Sequence, residues 1–407
     1  MVPIHRSLRI FPFLALLVAV CCMPPPALAD IVLLGTARFA GDTTDLSGLT
    51  DVLDEGIPHN RLGGISAIEY TGSKNEYLLL PDRGPRDGAT RYFCRIHTLK
   101  LDVRPGGTPA VAAKIAATTL LRDERGRNLV GSASAFKRKN PAAARRFDPE
   151  AVRVGLRGSI YLSDEYGPAV SEFTQGGTRV GTLKVPAKFT ILHPASKPEE
   201  ELAQNSSGRQ PNGGLEGLAI IPRRTKLYAA MQRPLIQDSL PGEGVKRTGT
   251  NTRIIEFDLT LGTTREFLYV LDNTANGVSE ILAINDHEFL VLERDGKPGT
   301  EAVAKRIYKI DLARATDISS HESLPPEGVP VGVKAAAKSL FLDLLDPRWG
   351  LAGPDFPEKV EGLAFGPSLP DGRRLLIVAV DNDFVAERPV LLHAFAIDRA
   401  DLANFGW

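Results

Sequence analysis

The sequence predicts an all-β chain, a β-propeller of four-stranded blades in which five blades can be counted and a sixth has room. Three observations carry this expectation. A hairpin pattern recurs five times, an acidic or polar residue recurs where the second strand of each hairpin ends, and an unpaired apolar strand stands near the start. A single core for 407 residues would be unusual, whereas repetition at intervals of several tens of residues marks a repeat architecture.

The first residues read as an export signal. His5, Arg6 and Arg9 precede an apolar run from Ile10 to Val20, then Pro24-Pro25-Pro26 and the small-residue pattern Ala27-Leu28-Ala29. That order of basic, apolar and small segments is a secretory signal peptide over 1–29, cleaved near Ala29, and it is too short for a stable anchor. The alternative, a lipoprotein signal ending at Cys21, has Val20 where a small residue is wanted. Residues 30–407 then form the propeller domain, expected in the periplasm or outside the cell as a monomer. No later stretch approaches the roughly 20 apolar residues of a membrane span.

Composition narrows the class further. With 43% hydrophobic residues and a formal net charge of zero, the chain has ordinary globular composition and no basic aromatic face for nucleic acid. Its basic cluster, Lys137, Arg138, Lys139, Arg145 and Arg146, reads as a solvated loop. Cleavage removes Cys21 and Cys22, so Cys94 stands alone, with no disulfide partner, and reads as a buried thiol.

The five hairpins follow in order. Gly63–Ile68 pairs with Tyr77–Gly84, Glu150–Val154 with Ile160–Gly167, and Glu216–Ile220 with Leu227–Pro234. Glu280–Ile284 pairs with Phe289–Gly296, and Glu361–Phe365 with Leu375–Asn382. Glu216-Gly217-Leu218-Ala219 and Glu361-Gly362-Leu363-Ala364 are identical, which argues against chance. Amphipathic third strands follow at Arg253–Leu259, Lys305–Leu312 and Leu391–Asp398, and fourth strands at Arg179–Val185 and Arg265–Leu271. Apolar inner strands with alternating outer ones fit sheets buried at the axis and wetter at the rim. The last hairpin lacks a clear fourth strand, so Ile31–Thr36 is expected to pair there and close the ring. Residues 186–211 and 237–252 read as inserted loops. Gly64, Gly217 and Gly362 read as close-packing positions near the axis.

In an antiparallel hairpin, the start of the entering strand and the end of the returning strand share one end. Glu150, Glu216, Glu280 and Glu361 should therefore meet Asp82, Asp164, Glu165, Glu293 and Asp381 at one mouth of the channel. Massed carboxylates repel and need a cation, a proton or hydrogen-bond donors. A hard cation such as Ca²⁺ suits such an oxygen-rich set, with Asp82, Glu150, Asp164, Glu216, Glu280, Glu361 and Asp381 as candidate ligands. Backbone amides capping the carboxylates as turn locks is the alternative. Arg83, Arg233 and Arg294 follow strand-end polar residues and could pair with the acids or hold an anionic substrate bidentately. His59, with Glu216 and Glu361, is a candidate for proton transfer. A His-Glu-x-x-His zinc motif, a Gly-x-Ser-x-Gly elbow and a phosphate loop are absent from the sequence.

Leu62–Ser66 with Leu80–Gly84, Phe147–Ala151 with Ser163–Gly167, Asn212–Ala219 and Val360–Ala364 together resemble the bacterial family called esterase-like activity of phytase. The resemblance runs from about Ile31 to Ala400. It implies a propeller hydrolase acting on ester or phosphate-ester bonds, in a family many of whose members are exported. Phe147–Val152 is also similar to the Asp-Asp-Pro-Ala-hydrophobic-Trp segment of calcium-dependent β-propeller phytases, with Phe147 in place of the first Asp, Glu150 in place of Ala and no Trp. The expectation is thus an exported metal-dependent hydrolase of a small-molecule ester or phosphate ester. Two alternatives stay open: a non-catalytic calcium-binding propeller that holds a ligand or partner, and a sugar-lactone hydrolase.

Overall fold

The described residues of the computed structural model are 31–137, 144–245 and 247–407, with residue 1. The signal-peptide reading, including Cys21 and Cys22, and the basic residues Arg138 and Lys139 lie outside them.

Strand β1 (Ile31–Phe39) comes first, and the first blade follows as β2 (Ile65–Tyr70), β3 (Glu76–Pro81), β4 (Arg95–Val103) and β5 (Val111–Leu120). The second blade is β6 (Pro149–Val154), β7 (Ile160–Asp164), β8 (Ala169–Phe173) and β9 (Arg179–Leu183). A loop carrying the short helix α1 (Pro198–Gln204) leads to β10 (Leu215–Ile220) and β11 (Lys226–Met231). A small hairpin, β12 (Leu240–Pro241) and β13 (Arg247–Thr248), interrupts this third blade before β14 (Asn251–Asp258) and β15 (Thr263–Val270) complete it. The fourth blade is β16 (Gly277–Ala283), β17 (Glu288–Arg294), β18 (Lys305–Asp311) and β19 (Ala337–Asp343). The fifth contains β20 (Val360–Phe365), β21 (Arg374–Val380) and β22 (Val390–Ile397).

Burial explains this arrangement. β6, β10, β16 and β20 are buried at every residue, as a strand packed on both faces must be. The outermost strands β5, β9 and β19 alternate or are largely exposed. Each of the first four blades is an antiparallel meander running outward in chain order, while β1 is the outer strand of the fifth, beside β22. That pairing runs from Ile31 opposite Ile397 to Phe39 opposite Val390, so β1 and β22 close the ring, with β1 as the outer edge of the fifth sheet. The architecture is therefore a five-bladed β-propeller. The long intervals that left room for a sixth blade contain β4 with β5 and β18 with β19 instead.

Apolar side chains pack face to face between successive blades. Phe147, Phe173 and Phe189 join the first three blades, and Phe341, Trp349 and Phe395 join the fourth to the fifth. Gly217 and Gly362 mark where inner strands approach most closely. A Cβ on Gly217 would stand 2.6 Å from Ile281 N, and one on Gly362 2.9 Å from Ile68 N. Cys94 is buried, as the sequence suggested. Arg146 departs from the solvated-loop reading: its guanidinium stacks over the Tyr166 ring at 4.2 Å, and its side chain is only 6% exposed.

Candidate functional site

The inner ladder of every blade is irregular near the same mouth of the channel. One residue bulges out at Ser66, Glu216, Ser279 and Glu361 in the first, third, fourth and fifth blades. In the second blade the irregular step spans Glu150 and Ala151. A bulge turns a side chain out of its alternating pattern, here toward the axis. The returning strands contribute Asp82, Glu165, Gln232, Arg294 and Asp381. These five, with Ser66, Glu150, Glu216 and Glu361, line one cavity of about 40 Å³. Arg83, Asn212 and Lys359 complete its wall.

Six of the lining groups are carboxylates and three are cations. Arg83 donates from Nη1 to Asp148 Oδ2 at 2.5 Å and to Glu165 Oε2 at 3.0 Å, and from Nη2 to Asn212 Oδ1. Arg294 donates to Glu361 Oε1 at 2.5 Å and to Ser279 Oγ at 3.0 Å. The Ser66 hydroxyl donates to Glu150 Oε2 at 2.5 Å, and Gln232 Nε2 donates to Glu216 Oε1 at 2.6 Å. Lys359 Nζ lies 3.5 Å from Asp381 and contacts Asp383. After these bonds, Glu216 Oε2 and Glu361 Oε2 remain buried without a partner.

That surplus of negative charge is visible in the acidities. Burial, then Asp381, pushes Asp82 well above the usual carboxylate range. Burial, then Asp148 and Glu216, does the same to Glu150, and burial with Glu165 and Glu361 raises Glu216. Glu165 is pushed up to about 7 by burial and by Asp148, against the pull of Arg83. Asp381 is pushed up to about 7 by burial, opposed by Lys359. A cation in the cavity would reverse these shifts, because it favours the ionised form of every oxygen around it.

The donor set suits a hard cation. Asp148, Glu150 and Glu165 each offer a carboxylate oxygen, and these atoms all lie within 4.8 Å of one another, every residue buried. The donors are all oxygen, and although Asp148 and Glu165 also pair with Arg83, the cluster could hold a metal ion.

Of the candidates read from the sequence, Asp82, Glu150, Glu165, Glu216, Glu361, Asp381, Arg83 and Arg294 converge on this cavity. Five do not line it. Asp164 faces its own turn, where Oδ1 accepts from Asp148 N and Tyr166 N at 3.0 and 3.1 Å; its neighbour Glu165 takes the place. Glu280 falls one residue past the bulge, at the position held by Gly217 and Gly362 in their blades. Its Oε1 accepts from Leu218 N and Ile281 N, and its Oε2 pairs with Arg153 at 2.8 Å. Ser279 is the residue that matches the axial glutamates. His59 is buried between loops, beside Tyr92 and Phe93. Its Nε2 accepts from Phe93 N at 3.1 Å and its Nδ1 faces Asp51, while burial lowers its pKa; both nitrogens are engaged away from the cavity. Arg233 stands outside the wall, half-buried, its charge influenced first by burial and then by Arg294, Glu216 and Glu165. Among the described residues it makes no ion pair. Glu293, grouped with the ring by its strand-end position, instead accepts from Tyr269 and Asn276 and pairs with Lys338 between the blades.

Asp148, Gln232, Asn212 and Lys359 were not singled out. Asp148 had a signal, since it is the acid retained in the Asp-Pro step of Phe147–Val152. Lys359 immediately precedes Val360, one residue before the repeating Glu-Gly pair begins.

A five-bladed propeller with a buried acidic cavity on its axis and guanidinium groups in the wall defines the class. The model of the phytase-like family, described as esterase-like activity of phytase, matches residues 60–384, and the chain belongs to that family. An "uncharacterized secreted protein" of Arthroderma benhamiae is 26% identical over 316 residues. The match covers 61% of this chain, and this chain spans only 61% of that relative. Among the described residues no helix is long and apolar enough to cross a membrane. Solved structures align weakly. The allergen Mala s 1 of Malassezia sympodialis aligns with a TM-score of 0.38 at 10% identity, over 86% of this chain and 82% of that one. The PQQ-bound aldose sugar dehydrogenase of Streptomyces coelicolor gives 0.36 at 11% identity, over 92% and 100%. Such scores carry no functional argument.

Proposed function

We propose that the protein is an exported hydrolase of ester or phosphate-ester bonds that works with a hard divalent cation, Ca²⁺ in the first instance. The observation that carries this reading is the axial cavity, where carboxylates from separate blades meet and two buried carboxylate oxygens have no partner.

Asp148, Glu150 and Glu165 would hold the cation. When bound, it supplies Lewis-acid polarisation of the scissile group and a more acidic water. Glu216 and Glu361 face the same space, and the free Oε2 of either takes the proton of the attacking water. The water oxygen forms the new bond to phosphorus or acyl carbon, the ester oxygen leaves with the bonding pair, and it recovers a proton from the carboxyl group just protonated. Arg83 and Arg294 present cationic wall to the developing charge. Arg233, which makes no ion pair among the described residues, would meet an anionic group of the substrate.

Size limits how a substrate enters. A volume of about 40 Å³ accommodates a few waters or an ion and the end of a small group, since one water occupies roughly 10–15 Å³ by this kind of measure. The substrate body then lies outside, in two flanking clefts. One, of about 290 Å³, shares Arg83 and Asn212 with the cavity; the other, of about 470 Å³, shares Lys359 and Asp381.

The test uses mature protein stripped with chelator and recharged with calcium, assayed on p-nitrophenyl phosphate and p-nitrophenyl acetate. Metal-restored turnover is expected, reduced about 10²–10⁴-fold by Glu216→Gln combined with Glu361→Gln. Turnover indifferent to that pair of changes would sink this arrangement. Calcium-dependent stabilisation with no turnover on either substrate would favour a non-catalytic calcium-binding propeller.

A further inference from the structure

The five inner strands run away from the acidic cavity, and their far ends converge again at the other mouth. Glu69 and Tyr70 of β2, Arg153 of β6, Ile220 of β10, Leu282 of β16 and Phe365 of β20 line a second cavity of about 250 Å³. Four residues of strand separate Ser66 from Tyr70, or about 13 Å. Between the two cavities stands Arg153, only 1% exposed. It donates to Val152 O at 2.6 Å and Ile281 O at 3.0 Å and pairs with Glu280. The two cavities are thus separate spaces on one axis.

The walls of the second cavity are apolar and aromatic. Phe405 and Trp407 close one side, where the tail is fixed by Trp407 Nε1 donating to Ala283 O and Gly406 N donating to Ile284 O, both at 2.9 Å. The polar lining is cationic. Arg224 donates to Gly155 O at 2.8 Å, and Arg374 donates to Ser368 Oγ at 2.9 Å and lies over the Phe405 ring at 4.3 Å. Among the described residues neither guanidinium forms an ion pair. Glu69 is the one carboxylate lining the cavity; it accepts from Val154 N at 3.2 Å and lies 3.7 Å from Arg153. The Nε atoms of both Arg153 and Arg374 are buried without a partner.

We propose that this second cavity is a binding site for a small organic anion with a flat apolar body, of the aryl carboxylate class. A guanidinium fork matches a carboxylate bidentately, and the aromatic wall stacks on a planar ring. The volume falls just below the roughly 300–1,000 Å³ of drug-sized sites, which sets a ligand of one or two fused rings. The site requires nothing of the acidic mouth, so it stands or falls independently of the hydrolase reading.

The experiment is calorimetric titration of the mature protein with 2-naphthoate and, in parallel, with the uncharged 2-naphthylmethanol. Saturable one-site binding of the anion is expected, at least tenfold tighter than the alcohol. Arg224→Gln with Arg374→Gln should weaken it at least tenfold while circular dichroism and melting temperature stay unchanged, and Arg224→Lys with Arg374→Lys, which keeps the charge but loses the fork, should recover only part of it. Equal affinity for acid and alcohol, no saturable binding, or undiminished binding to a folded glutamine variant each overturns the proposal. If the glutamine variant does not fold, the comparison of acid with alcohol on the unaltered protein decides.

Discussion

Glu280 shows how much one residue's position matters. Because it occupies the slot that neighbouring blades give to glycine, its carboxylate turns to Arg153, and the bulged position falls to Ser279, which accepts from Arg294. Both partners are fully buried, and Arg153 would keep only Glu69, 3.7 Å away, so removing the Glu280 charge costs about 1–3 kcal/mol, less than a fully stranded charge. Glu280→Gln should therefore lower stability by that amount in urea denaturation and leave calcium affinity within about twofold; a large loss of calcium affinity would mean that Glu280 reaches the cation. Two histidines offer a second residue-scale prediction. Burial lowers His97 to about 3 and His393 to about 4 from an ordinary 6.5. As pH falls below about 6.5 the unfolded chain takes up these protons first, so stability present above that pH is lost toward pH 4. Each contributes a slope of about 1.4 kcal/mol per pH unit. The His393→Gln protein should lose stability less steeply across that window, as measured by urea midpoints at stepped pH.

At the scale of the element, the inner strands set the geometry of both mouths, and their glycines are the sensitive points. Gly217→Ala would drive a methyl against the Ile281 backbone, costing about 1–3 kcal/mol by overpacking. Gly262→Ala, at a turn with open space around it, involves no such clash and serves as the control for added bulk, although its φ of +68° carries its own strain. Differential scanning calorimetry of both separates crowding from backbone strain: crowding predicts the larger loss at Gly217. Elements were also where the sequence was most legible. Inner hairpins announced themselves by continuous apolar runs, and the ring-closing role of Ile31–Thr36 followed from an odd strand at each end. The outer strands β5 and β19 were hidden, because half-exposed sequences such as Val111–Leu120 carry little hydrophobic contrast. The candidate site was legible to within one residue in most blades. That limit has a physical origin, since a β-bulge shifts which side chain faces the axis without changing the apolar pattern around it. Hence of the adjacent pair Asp164 and Glu165 only Glu165 lines the cavity, and Glu280 turns away while its bulged neighbour Ser279 meets Arg294. His59 misled because a chain position near the first blade says nothing about which way the ring points.

For the whole molecule, a cation that binds only the folded ring should act as a staple. At a free concentration a hundredfold above its dissociation constant it stabilises by about 2.7 kcal/mol, read as a rise in melting temperature. The rise should largely vanish in Glu150→Gln and with chelator present. A calcium-independent melting temperature would count against an axial cation.

The pairing of Ile31–Phe39 with Val390–Ile397 also has a temporal side. A ribosome releases the first of these segments hundreds of residues before the second, so the earliest strand to emerge must wait, unmatched, for almost the last. Until then the fifth sheet is incomplete and neither axial chamber has its full wall. The closing contact is thus a late event by construction: the ring can lock only once the segment carrying β22 is available to β1.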